Sequence, residues 1–313
     1  MQKGELSVNT AVSKNVTIIS YIIAITFIIA MITASVILDN HQIILPELAA
    51  MAIAMWVYRE AGWIRQPSKI LFAPSLTAVI GFMVNLLPIF YVGKVGITLV
   101  LSMLLLRLIR SNLAPSIATG LLPVVIDVDR WSFIISTFIL TFILMLGVLL
   151  FRLNNGLEKK VKIQYKYIVV FLMLNFVWIG LTWAVDYPQL AAIPPILVVV
   201  YESLQKPKYN GKVAFKQSLV LTISATVGTM LYFALDSWIL ITLINMILMY
   251  ILLHIVGVRI PAVYAFPLLP FIFPDKIVAL LPLGSLIICV FLFGSVLAYK
   301  KLEMKRSGKV MQI

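Results

Sequence analysis

The sequence predicts an all-α polytopic membrane protein of about twelve segments, built as two parallel halves of about six. Three observations carry this. The 313 residues are 62% hydrophobic and only 12% charged, whereas a soluble domain carries roughly 25% charged residues. Apolar runs recur along the whole chain at a mean hydropathy of +1.06, so no separate soluble domain fits. The chain also repeats itself in three places, in the same order.

Residues 46–60, PELAAMAIAMWVYRE, are answered by residues 188–202, PQLAAIPPILVVVYE, a shift of 142 residues from Pro46 to Pro188. Phe72, Ser75 and Leu76 match Phe215, Ser218 and Leu219. Ala114-Pro115 followed by Leu121-Leu122-Pro123 matches Ile260-Pro261 followed by Leu268-Leu269-Pro270. Ordered matches of this kind predict a tandem duplication: residues 1–151 and 167–313 as transmembrane repeats, with a cytoplasmic linker at 152–166.

In chain order, the first segment is expected at 17–38, after Lys3 and Lys14. No small-residue cleavage site follows it, so it reads as a retained anchor. Segments at 45–58, 70–92, 95–110, 113–126 and 131–151 complete the first half. The longest polar stretch, Arg152 to Lys166, separates them from segments at 167–184, 188–202, 217–235, 237–257, 260–273 and 277–299. An even number per half makes the two repeats parallel, related by an axis along the membrane normal.

Charge placement supports that order. Splitting the connectors alternately leaves three of the 25 Lys and Arg residues (Lys94, Arg130 and Lys276) on one side. This is the positive-inside bias. It predicts a plasma-membrane protein with both termini cytoplasmic, and it accounts for the net charge of +13 without nucleic acid. The partners expected are the lipid bilayer and a small molecule or ion; self-association into a homo-oligomer stays open.

Segments 2, 5, 8 and 11 stand apart. A spanning helix needs about 20 residues, and these offer about 14 or 15, roughly 21 Å of helix. Prolines gather in them: Pro46, Pro115, Pro123, Pro188, Pro194, Pro195, Pro261, Pro267 and Pro270. Proline removes a backbone donor and clashes with the preceding turn. Broken backbone at membrane depth is tolerated only within protein or beside a watery cavity. Short, broken segments at matching places in two halves point to a solute path.

Catalytic constellations are missing. There is no HExxH, no GxSxG and no Gly-rich phosphate loop, so no enzyme and no cofactor is expected. Cys289 is alone, and His41 and His254 lack metal-ligand spacing. Glu60 and Glu202 sit beside basic loops and read as interfacial salt bridges, with ion coupling the alternative; Glu47, whose counterpart is Gln189, could be a proton-coupling site but lies near the outer surface. Asn85, Asn175 and Asn245 read as interhelical glue. Ser75, Ser218 and Thr182 are hydroxyls that could line a path, although such groups usually bond their own helix. Trp56, Trp63, Trp131, Trp183 and Trp238 read as an interfacial belt.

The most suggestive stretch is Arg110-Ser-Asn-Leu-Ala-Pro-Ser-Ile-Ala-Thr-Gly-Leu-Leu-Pro. A helix ends, breaks and restarts, with Asn112 placed to cap the restart and Pro115 in its first turn. Backbone N–H groups there, with Arg110 nearby, would attract an anion. In the other half Arg259 precedes Ile260-Pro261. Candidate substrate-binding residues are therefore Arg110, Asn112, Pro115, Ser116, Thr119, Arg259, Pro261 and Tyr264.

At these residues the chain resembles the HPP family of integral membrane proteins. That family has a helix ending Leu-Leu-Leu-Arg, followed by His-Pro-Pro-Ala-Gly-Ala-Thr-Ala-Leu-Leu. Leu113-Ala114-Pro115-Ser116-Ile117-Ala118-Thr119-Gly120-Leu121-Leu122 is similar in its second proline, its Ala-Thr and its Leu-Leu. Upstream, Ala49-Ala50, then Gln66-Pro67-Ser68-Lys69, then Ser75-Leu76 resemble the family's two small-residue helices and the Gln-Pro loop between them. The name-giving histidine is replaced by Leu113 in one copy and Arg259 in the other. The resemblance implies a polytopic transporter, with nitrite a candidate solute.

The expectation is thus a secondary transporter or channel for a small solute. The alternative is a non-transporting membrane sensor or partner subunit of a larger complex.

Overall fold

The computed structural model describes residues 14–158 and 164–306. The basic residues at 1–13, 159–163 and 307–313, part of the charge argument above, lie outside them. The described residues are helical, with no strand among them.

The long helices are α1 (Lys14–Ile37), α4 (Pro67–Asn85), α5 (Tyr91–Leu108), α7 (Ser132–Leu150), α8 (Tyr165–Ala184), α10 (Gly211–Ala234), α11 (Trp238–Val256) and α12 (Asp275–Arg306). Among the described residues these hold 8 stretches long and apolar enough to cross a membrane, so the chain is a multi-pass helical membrane protein. Between them lie shorter elements. These are α2 (Pro46–Ala52) continuing as a π-helical turn over Ile53–Val57, α3 (Ala61–Ile64), α6 (Pro115–Val125), α9 (Pro194–Gln205), and a 3-10 segment over Pro261–Tyr264 and Phe266–Phe271.

The two classes of element differ in burial. In α7, Phe133, Thr137, Thr141, Leu144 and Val148 share the inner face, while Ile135, Phe138, Ile139 and Phe142 are exposed. In α11 the inner face carries Thr242 and Asn245, and Leu243, Ile247 and Ile251 face outward. Lipid is as apolar as leucine, so such helices turn their hydroxyls and amides inward and their aliphatic side chains to the bilayer. The short elements have no lipid face. Every residue is buried from Ile43 through Trp56, from Leu113 through Val124, from Ala191 through Tyr201 and from Ala262 through Phe271. A ring of long helices therefore surrounds a core of short ones.

Proline explains where the short elements start. Pro46, Pro115, Pro194 and Pro261 each open one, where a missing N–H costs nothing and a fixed φ suits the first turn. In the 261–271 segment the prolines hold the backbone out of α-helical form. Part of the freed backbone is satisfied from α10, where Ser224 Oγ donates to the Val263 carbonyl at 2.7 Å.

Several boundaries differ from the sequence reading. The stretch expected at 70–92 is a helix over Pro67–Asn85 that stops before Pro88, and α10 begins at Gly211 rather than 217. The pairing of Pro46 with Pro188 also fails at the level of elements. Pro188 opens a separate 3-10 turn, Pro188–Ala191, which occupies the place of the turn at His41–Ile43. The helix that begins as α2 does begins at Pro194. The Leu-Ala-Ala letters that align with α2 thus lie in the turn and before the helix Pro194–Gln205, not within it.

Candidate functional site

Four short elements, with Trp63 of α3 beside them, meet around one narrow cavity at the centre. Its lining is Glu47 and Ala50 from α2, Trp63 from α3, Pro115 and Ala118 from α6, Pro195, Val198 and Glu202 from α9, and Pro261, Ala262 and Ala265 from the 3-10 segment. The space is about 10 Å³, room for one water at most. Small side chains and prolines let four backbones come this close.

Two carboxylates are the polar feature of an otherwise apolar lining. Glu47 is only 4% exposed. Its carboxyl interacts with the hydroxyl of Thr119, one turn into α6, and with its own backbone N–H; its Oε1 has no hydrogen-bond partner. Position matters here, because Glu47 sits in the first turn of α2, where the helix dipole favours a negative charge. Glu202 lies two turns along α9 from Pro195, about 10 Å at the rise of an α-helix. It accepts a hydrogen bond from Trp63 Nε1 at 3.1 Å. That bond crosses from the first half of the chain to the second.

The expected interfacial salt bridges of Glu60 and Glu202 do not form. Among the described residues neither carboxylate lies within 4.0 Å of a cation. Lys206 is close enough to Glu202 to interact electrostatically, but the indole is its hydrogen-bond donor, and Glu60 is exposed. Trp63 and Trp56, expected in an interfacial belt, are buried at 6% and 5% exposure. Trp131 and Trp183, at 58% and 67%, do face outward.

The predicted site residues divide. Pro115 and Pro261 line the cavity. Thr119 reaches it through Glu47 and also donates to the Pro115 carbonyl at 3.2 Å. Ser116 and Tyr264 are fully buried, each with an oxygen lacking a hydrogen-bond partner; Tyr264 lies against Tyr58 and Tyr21. Arg110 and Arg259 are exposed and outside the lining. Arg110 instead turns the chain after α5 in the left-handed conformation, φ 52°; Gly257, φ 67°, makes the matching turn after α11. Arg259 stands 6.0 Å over the ring of Tyr58. The two cations therefore mark the surface, and the anion-attracting spot expected at the helix starts is not assembled from them.

Asn112 does not cap α6, whose N-cap residue is Ala114 with no side-chain cap bond. Its amide reaches across to α9 instead, donating to Gln205 and accepting from Tyr201 Oη at 3.2 Å. A polar side chain next to a proline break resembles a cap in sequence; only the neighbouring helix reveals a better partner. Trp63, Glu47 and Glu202 line the cavity, although the sequence reading gave them other roles and left them out of the candidate site. The available signal was that these two glutamates are carboxylates inside short apolar segments, where an ionisable group is costly and usually functional.

Comparison of the chain with protein families, curated proteins and solved structures finds no match. Among the described residues no group of His, Cys, Asp and Glu side chains could hold a metal ion.

Proposed function

We propose that this chain is a secondary transporter or channel for a small solute, moving it between two parallel six-segment halves without chemistry on it. The observation that carries this reading is the meeting of α2, α6, α9 and the 261–271 segment around one cavity. Helix pairing supports the pseudo-twofold arrangement: α1 packs on α11 as α8 packs on α5, and α6 packs on α9 as α2 packs on Pro261–Tyr264. Each half thus lends a long helix and a short one to the other. In this arrangement the basic end faces the cytoplasm of a plasma-membrane protein.

The likeness of residues 113–122 to the HPP signature agrees with transport. An anion such as nitrite would have to pass two carboxylates, so its movement requires their neutralisation. The alternative, a membrane sensor or partner subunit, draws on how closed the cavity is. Transport requires the short elements to part.

Flux into proteoliposomes decides between the two. Solutes covering small anions, small cations and neutral molecules are offered to wild-type vesicles and to Pro115→Ala and Pro261→Ala vesicles. At least one solute is expected to enter faster than into empty vesicles, with flux several-fold lower in both variants. Flux equal to empty vesicles for every solute would leave the sensor reading standing.

A further inference from the structure

We infer that Glu47 is a proton-carrying site, taking up and releasing a proton at the central cavity with Thr119 as its hydrogen-bond partner. This rests on the transport reading and names its coupling ion.

The first argument is what the cavity lacks. A hard metal cation stripped of water needs about six oxygen ligands. Apart from Glu47, Trp63 and Glu202, the lining side chains are alanine, valine and proline, which offer none. No cationic side chain on the elements packed around Glu47 faces it either. α6, α7 and the 261–271 segment contain no Lys, Arg, Asp or Glu. The only charged residue of α1 is Lys14, at its far end. The ionisable groups on the elements packed around it are the tyrosines, Tyr264 among them, and Glu202 across the cavity. A carboxylate buried without a cation is costly, and a proton neutralises it without the set of oxygen ligands that these lining side chains lack.

The second argument is the geometry of the hydroxyl. Thr119 Oγ1 lies 3.2 Å from the Pro115 carbonyl oxygen and also interacts with the Glu47 carboxyl. A hydroxyl has one proton to give and two lone pairs. Facing an ionised Glu47, it donates to the carboxylate. Facing a protonated Glu47, it accepts from the acid and donates to Pro115. Thr119 thus satisfies both states with a rotation of one O–H bond. Uptake forms an O–H bond on the carboxyl, release breaks it, and the local charge changes by one with nothing oxidised. A small anion can then pass Glu47, whose own charge the proton has cancelled.

The test is infrared difference titration of the full chain in lipid nanodiscs, with the proton itself as the probe. Wild-type protein is expected to show a protonated-carboxyl stretch that disappears on raising the pH. Glu47→Gln should remove that band, and Glu60→Gln should leave it. Glu47→Asp, which keeps the acid, should retain a titrating band and guards against a misfolded glutamine variant. Thr119→Val should move the band to higher frequency, because the acid loses its hydrogen-bond partner. A band that survives Glu47→Gln, or no titrating band at all, overturns the assignment even if flux is present. Lack of flux with the band intact overturns the transport reading and leaves the proton site.

Discussion

A Cβ atom on Gly81 would lie 1.9 Å from the carbonyl oxygen of Gly120. Helix α4 and the short helix α6 therefore touch backbone to backbone. In the second half, a Cβ on Gly228 of α10 would lie 2.6 Å from Cα of Pro267. Helices α4 and α10 thus each carry a glycine where a short element crosses them. Overpacking such a contact costs about 1–3 kcal/mol. Gly81→Ala and Gly228→Ala are each expected to lower the thermal midpoint in detergent, and Gly180→Ala, which faces open space, to leave it unchanged. Equal midpoints for all three would refute this reading of the crossings.

Trp63 holds Glu202 across the two halves. Trp63→Phe keeps an aromatic ring, though a smaller one, and deletes the donor, leaving a carboxylate oxygen without its bond. The cost expected is about 1–3 kcal/mol, read as a lower denaturation midpoint in a lipid-reconstituted unfolding assay. Because the bond spans the cavity, the same variant should change flux more than Trp131→Phe, whose ring is exposed at 58%. No difference between the two would mean that the bond carries neither stability nor function.

Arg110 tests the anion reading directly. Its left-handed backbone, φ 52°, costs a non-glycine residue about 1–3 kcal/mol. Arg110→Gly should therefore be at least as stable as wild type. Since the side chain is exposed and outside the cavity lining, solute flux should stay within about twofold. A tenfold loss of flux with unchanged stability would restore Arg110 to the path.

Topology can be read with thiol reagents. The one native cysteine, Cys289, is 0% exposed and should not react in the folded protein. Lys208→Cys, at the basic end, is expected to label only when a membrane-impermeant maleimide reaches the cytoplasmic side. Asp129→Cys should label from the opposite side. Labelling of both from one side would invert or break the proposed orientation.

Much of the fold was legible because membrane burial leaves a strong local signature. Helix length, charge asymmetry and the prolines at 46, 115 and 261 each act within a few residues, so the long and short elements can be read from the chain. The register of the second short helix was not legible. Pro188 and Pro194 look alike as letters, and their roles separate only because the turn at Pro188–Ala191 is a distinct element. Asn112 and Trp63 were misassigned for a related reason. Each has a plausible local role, cap or belt, and each takes a partner about 90 or 140 residues away.

By itself, then, the sequence determined a polytopic helical membrane protein with its Lys and Arg residues biased to one set of connectors and a set of short, proline-started segments. Those properties follow from transfer of each residue into lipid or water, a local quantity. Only the tertiary structure decided that the short segments converge, that Glu47 and Glu202 share their cavity, and that Arg110 and Arg259 stay outside it. Convergence depends on which backbones can touch, at Gly81 and Gly228 for instance. That is set by pairs of residues distant in the chain, which hydropathy and charge counting do not register.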